Sequence, residues 1–513
     1  MDAVSKDVME LAVPSTATLP VINTDVLRVV VHHVAQKDFL LFGLVSKDWR
    51  EAWGQRPTVT SIVPTPTTSV SQLRSSFECG APRYSIRICR AIARLGNLEL
   101  LRCAREHGCP WDAGTCAAAA REGHQDVVEY LVLNCCPWDA STCASAAEGG
   151  HLAVLRWAII YDCPWDSSVC AAASAIGRLD ILQWARLRGC PWDSGACSAA
   201  AKGGRLDVLI WLRKEGCPWD HVTCSSAASG GHLRLLQWAR ANGCPWSEWT
   251  CSSAACEGHL DILRWARSNE CKWDTETCEA AAEGGHLETL MWARQHGCPW
   301  DEVTCTAAAS NGHLEVLRWA RTNGCDWNSY TCDRGAKGGH LDCLQWARAN
   351  GYPWTCDTCT FAAREGHFAV LQWARENGCP WDASTCSSAA LGGHLALLKW
   401  ARMNGCPWDD SVCSAAAMGG CLDVLEWARM NGCPWAPSTC SGAARRGRLD
   451  VLQWAREHGC GWDEGTCFVA SYHGYLALLI WARDNGAPWD KEKCLVAATR
   501  WSHHDVIAWM QRN

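Results

Sequence analysis

Trp138-Asp-Ala-Ser-Thr-Cys143-Ala-Ser-Ala-Ala147-Glu-Gly-Gly150-His151-Leu-Ala-Val-Leu155-Arg-Trp157-Ala158 decides the fold, because it returns with few changes every 27 residues. Tryptophan keeps its phase from Trp111 through Trp138 and Trp165 to Trp489. A cysteine follows each five residues later, and a glycine twelve later as far as Gly474. Self-similarity at a fixed period is the mark of a stacked repeat architecture, in which each unit contacts only its neighbours.

Within the quoted stretch, Asp139 stands where a helix N-cap belongs, since its carboxylate can accept an amide N–H of the first turn. The run Cys143 to Ala147 has high helix propensity and little bulk, and Gly149-Gly150 suits a left-handed ending. A second helix begins near His151. Its apolar set Leu152, Val154, Leu155, Trp157 and Ala158 is too wide for one exposed face, which predicts burial between neighbours. Further along, Arg240, Asn242 and Gly243 close such a helix, and Pro245 prevents its continuation. Each repeat therefore reads helix–turn–helix, with no room for a strand. Counting phases backwards puts Tyr84 in the tryptophan slot, which gives about sixteen repeats over residues 80–513. The last, from Trp489, slips by one residue near Trp501 and is expected to act as a cap.

The helical core of this unit resembles the ankyrin repeat, T-P-L-H-x-A-A-x-x-G-H-x-x-V-V-x-x-L-L. Ser141-Thr142-Cys143, Ala146-Ala147, Gly150-His151 and Val154-Leu155 keep that spacing, and Ala308, Ala309, Gly312, His313, Val316 and Leu317 repeat it. Ankyrin units run to about 33 residues. The shorter period here implies loss of the long β-hairpin fingers, and the T-P-L-H tetrapeptide is replaced. The expected fold is therefore an all-α solenoid of finger-less, ankyrin-like hairpins whose helix faces bind partners.

Residues 19–53 do not follow the repeat. Leu19-Pro20, spaced aliphatics from Val26 to Val34, Lys37-Asp38-Phe39-Leu40, and Leu44-Val45-Ser46-Lys47-Asp48-Trp49-Arg50 resemble an F-box. That resemblance implies docking on a Skp-type adaptor of a cullin–RING ubiquitin ligase through Leu19, Pro20, Leu27, Val30, Leu40, Val45 and Trp49. Val21-Ile22-Asn23-Thr24 departs from the F-box pattern, and a plain helical cap on the solenoid is the alternative. Residues 1–18 read as a disordered N-terminus. Residues 54–79, rich in Thr, Ser, Val and Pro, read as a linker.

Net charge is −7, with acidic and basic residues interspersed and no basic block, so neither nucleic acid nor a membrane surface is expected as a partner. No run is apolar enough to span a membrane and no signal-peptide layout opens the chain, so a cytoplasmic or nuclear location is expected. Thirty-six cysteines suggest a disulfide scaffold, but most fall at two phases, Cys89 through Cys494 and Cys109 through Cys460. A slot filled alike in repeat after repeat reads as core packing by reduced cysteine, ahead of disulfides or metal. Histidine recurs after the glycine, as at His124, His232, His286 and His394, while Arg178, Arg205 and Arg448 take that slot elsewhere. Cys356-Asp357-Thr358-Cys359 is the one C-x-x-C and lacks a second pair, so no zinc site is expected. No cofactor is expected either. No phosphate loop, nucleophile elbow or kinase signature appears, and no catalytic residues are assigned.

A regular array carries its specificity where it departs from regularity. Trp249, Tyr330, Arg334, Tyr352 and Phe361 replace small or variable residues and are the candidate partner-binding positions, Trp, Tyr and Arg being the commonest interface anchors. The expected function is recognition of a protein target, as the substrate receptor of a ubiquitin ligase or as a stand-alone interaction scaffold.

Overall fold

A computed structural model of the chain describes residues 64–65, 68–78, 86–328 and 330–512. The seven F-box-like positions and the expected disordered N-terminus lie outside the described residues. Among the described residues there are thirty-three helices and no strand, an all-α solenoid arrangement as the periodicity requires. The first helix stands alone and the others pair into sixteen hairpins. The chain divides into two compact units, Met1–Ala196 and Cys197–Asn513.

The repeat that begins at Trp300 illustrates the second unit. Asp301 accepts the Val303 amide at 3.0 Å and starts the helix Glu302–Ser310. That helix ends when the His313 amide reaches back to the Ala308 carbonyl at 2.9 Å, with Gly312 left-handed between them. This is the Schellman closure that glycine favours. The second helix, Leu314–Thr322, ends the same way, with Cys325 N–H on Ala320 O at 3.0 Å and Asn323 Nδ2 on Trp319 O at 2.8 Å. Only five residues, Asn323 to Trp327, then separate it from the next N-cap, Asn328, so there is no length for a finger.

Successive first helices within a compact unit pack on one another. Ala308 and Ala309, both buried, are small enough to permit that approach. Val316, Leu317 and Ala320 of the second helix fill the space behind them. Burying such a Val or Leu contributes about 1.5–3 kcal/mol each. Trp300 lies at the rim of this core, edge-on to Trp319 with centroids 5.8 Å apart. Arg294 of the preceding helix sits 4.1 Å over its ring and donates to the Cys298 carbonyl. The arginine thus caps its own helix end and covers the tryptophan face at once.

The two ends differ from the interior repeats, the first against the sequence reading and the last through the slipped register that reading noted. The segment expected to be a linker contains the helix Val70–Glu78, which packs on Leu98–Glu106 with Leu73 and Phe77 buried. Ser69 and Gln72 cap it reciprocally, Ser69 N–H to Oε1 at 2.8 Å and Gln72 N–H to Oγ at 3.2 Å. At the other end one extra residue places Ser502 in the left-handed slot, with φ of 57°. His503 then takes the histidine role and contacts the Tyr472 carbonyl at 3.1 Å.

Candidate interaction surface

On the first helices, stacking leaves side chains at least partly exposed at the third, sixth, seventh and tenth positions after most tryptophans. Most are small: Ser226, Ser252, Ser253, Thr306 and Ala307 are typical. Against that background Trp249 is 49 % and Tyr330 60 % exposed. Trp249 leans on His221 of the preceding repeat, 5.2 Å between ring centroids. Arg334 is exposed one turn after Tyr330, and Phe361 is half-buried at the matching position of the next repeat. These four therefore share the first-helix face of the second compact unit.

Tyr352 does not join them. It is 2 % exposed and packs edge-on against Trp327 at 4.6 Å. Its place in the repeat is that of the buried loop cysteine, so the ring goes inward, and burial pushes its phenol up to about 12. A second inward substitution follows: Asp333 is 3 % exposed and accepts the Thr358 hydroxyl at 2.7 Å. Burial raises its carboxyl above the ordinary range, and the Thr358 bond opposes that shift.

Between Trp249 and Tyr330 the same face carries a group the sequence reading passed over. Glu276, Glu279 and Glu283 line an open depression with Ser252, Ser253 and Cys256. Partial burial raises the Glu279 carboxyl, and the charges of Asp301, Glu276 and Glu283 add to it. The signal was present, since the three glutamates are spaced to share one face of a helix whose exposed positions the period defines.

The candidate metal residues resolve differently. His313 Nε2 is 2.9 Å from the Glu283 carbonyl, thirty residues back. A carbonyl can only accept, so that nitrogen donates and the ring clips two repeats together. His232, His367 and His394 make the same contact. Arg178 substitutes by donating to the Gly150 carbonyl at 2.6 Å. Hydrogen bonding to Cys379 and burial hold the Cys359 thiol above the ordinary thiol range. In the repeat of Trp273, hydrogen bonding to Cys298 and burial hold the Cys278 thiol above the ordinary thiol range. Among the described residues, no group of three or more His, Cys, Asp or Glu is placed to hold a metal ion.

A family model described as ankyrin repeats (many copies) matches residues 278–321. No curated protein matches the chain. Solved structures similar to it include the pentatricopeptide repeat protein PPR10 in complex with an 18-nt psaJ RNA element. That likeness is 13 % identical over 96 % of this chain and 89 % of that one, with a TM-score of 0.31. The human ASB11 ankyrin repeat domain is 16 % identical over 31 % of this chain and 84 % of its own, with a TM-score of 0.27. The exclusion of nucleic acid made from charge is corrected: a helical-repeat protein similar to this chain has been solved with RNA bound. Helical repeats can read single-stranded bases one at a time, by stacking and hydrogen bonds, so a missing basic block does not exclude such a ligand. Among the described residues no helix is long and apolar enough to cross a membrane.

Proposed function

We propose that this protein is a non-enzymatic interaction scaffold whose first-helix face, from Trp249 to Phe361, holds a macromolecular partner. The observation that carries the reading is the exposure of Trp249 and Tyr330 on a face whose other side chains are mostly small or polar, Ser252, Ser253 and Thr306 and the three glutamates among them. Large aromatic rings exposed among small residues offer apolar contact area that neither the stack nor solubility calls for. The test is capture by the full chain, with crosslinking and readouts for both protein and RNA. A partner held by the wild type and lost by Trp249→Ala with Tyr330→Ala, at unchanged helicity and melting, supports the reading. Equal capture by both chains sinks it.

The finer reading, a ubiquitin-ligase substrate receptor, rests on the F-box-like sequence of residues 19–53 alone. Its own test is retention of a Skp-type adaptor by the full chain and loss of that adaptor on Leu19→Ala with Trp49→Ala. No retention by the wild type removes the ligase role and leaves the scaffold.

A further inference from the structure

From Cys356 to Arg500 each first helix packs on the next, so their last turns form a row. An open depression of about 430 Å³ follows that row from Arg364 to Arg446, three repeats apart, and Glu365 is its one carboxylate. Arg445 is exposed beside Arg446, and Arg500 is exposed at the matching place two repeats on. Among the described residues no carboxylate pairs with any of these four arginines. The reason is a matter of phase. In the other compact unit Arg121 holds the same phase and meets Glu148 of the next repeat at 2.7 Å. The slot that Glu148 fills is Leu391 after Arg364 and Tyr472 after Arg445. A second source of negative charge is thinned as well. Most repeats carry Asp or Glu at the second position of the second helix, as at Asp342, but Ala369, Ala396 and Ala477 stand there in this stretch. Of the three that remain, Asp423, Asp450 and Asp505, Asp450 is held by Arg448 at 2.9 Å. The arginines come from helices far apart in sequence, so no basic run betrays the row.

Aromatic rings stand at the far end of the row. Phe468, Tyr472 and Trp501 form a chain with centroids 6.3 and 5.5 Å apart. Trp501 meets Tyr472 edge to face and is still 52 % exposed, and Phe468 is exposed too. A capping repeat needs a polar outer face, which an open tryptophan does not supply. We propose that this row is a groove for single-stranded nucleic acid, with phosphates on Arg364, Arg445, Arg446 and Arg500 and a base stacked on Trp501. Unpaired guanidiniums suit phosphate oxygens, and every base has a face that an exposed ring can cover. A duplex keeps its bases stacked on one another and offers none to Trp501. An acidic polypeptide would satisfy the arginines and leave the rings unused.

The test uses the full-length protein with labelled strands of about 16 nucleotides, oligo(U) and oligo(dT), read by fluorescence anisotropy across a salt series. The logarithm of the binding constant should fall with that of salt by about 0.7 per phosphate contacted. Arg445→Gln with Arg446→Gln should weaken binding and flatten that slope by about 1.4. Trp501→Ala should cost about 5- to 100-fold at every salt concentration and leave the slope as it was. Arg121→Gln, paired and in the other compact unit, should change neither. Tighter binding of oligo(U) marks RNA as the ligand and tighter binding of oligo(dT) marks DNA; either result, or equal binding, supports the groove. No binding of either strand overturns the proposal, as does a slope that the double variant leaves unchanged or an affinity that Trp501→Ala leaves intact. Equal or tighter binding of a duplex also overturns it, and equal displacement by polyglutamate does so in favour of an acidic polypeptide. If Trp501→Ala does not fold, Phe468→Ala reads the stacking in its place. None of these variants touches Trp249 or Tyr330, so failure here leaves the reading of that face standing.

Discussion

Gly285 shows how one position can be fixed by two independent constraints. Its φ is +78°, a conformation that costs an L-residue about 1–2 kcal/mol. A Cβ there would also lie 2.5 Å from Nδ1 of His313, the ring that clips the next repeat to this one. Gly285→Ala should therefore destabilise by about 2–3 kcal/mol, the backbone strain plus a weakened hydrogen bond. A loss under half that size in denaturant unfolding would mean that the ring swings aside freely. The converse case is Glu270, which holds φ of 64° where most repeats have glycine with open space around it. Glu270→Gly should stabilise by about 1 kcal/mol. Asp333 gives a pH-dependent prediction. Its folded pKa is raised, so the native state binds the proton more tightly than the unfolded chain does. Its contribution is thus most favourable below the unfolded value and falls as pH rises through the folded one. Asp333→Asn keeps an acceptor for Thr358 and should raise stability at neutral pH, with the gain vanishing in acid. A gain of equal size at all pH values would rule out the carboxylate as the cause.

At the scale of the element, the first helix Tyr330–Gly338 is irregular, carrying Asp333, Arg334 and Gly335 where most repeats have small residues or alanine. Gly335 sits in its interior where other repeats carry Ala308 or Ala362. A Cβ at Gly335 would make ordinary contacts of 3.6–3.8 Å with Ala309 and Leu344, and these line a small internal void with Cys332 and Cys343. Gly335→Ala should stabilise by about 1 kcal/mol, through helix propensity and filled space. Thermal unfolding would check it, and a loss of stability would show that the irregular helix needs the slack. The same elements mark what was legible in sequence. Both helices of each hairpin, their caps and the absent fingers follow from residue types at fixed phase. The helix Val70–Glu78 was hidden by the Thr- and Pro-rich stretch before it, although Ser69 and Gln72 form a capping pair. Tyr352 was misplaced for another reason. Large residues suggest surface anchors, yet phase assigns its slot to the core, and phase is the stronger guide in a repeat protein. The positions of Trp249 and Tyr330 were legible because the period names the exposed face. The glutamates between them were equally readable but carried no aromatic signal.

Over the whole molecule, stability is set by contacts between adjacent repeats, so a local change should stay local. The exposed first-helix positions meet adjacent repeats only through marginal contacts, such as Thr306 Oγ1 to Thr331 Oγ1 at 3.2 Å, so they can vary at little cost to the scaffold. This is why a face of Ser and Ala can acquire Trp249, Tyr330 and Arg334 while the buried phases hardly change. It follows that the strain introduced by Gly285→Ala should raise hydrogen exchange in the repeats that flank it and leave residues 408–512 at wild-type rates. Exchange that rises uniformly across Cys197–Asn513 would show a single cooperative block instead. The outcome bears on function as well. Local opening gives each repeat its own equilibrium, so a partner seated across Trp249 to Phe361 would protect those repeats and not the distant ones. Protection confined in that way would locate the binding face whatever the chemical class of the partner.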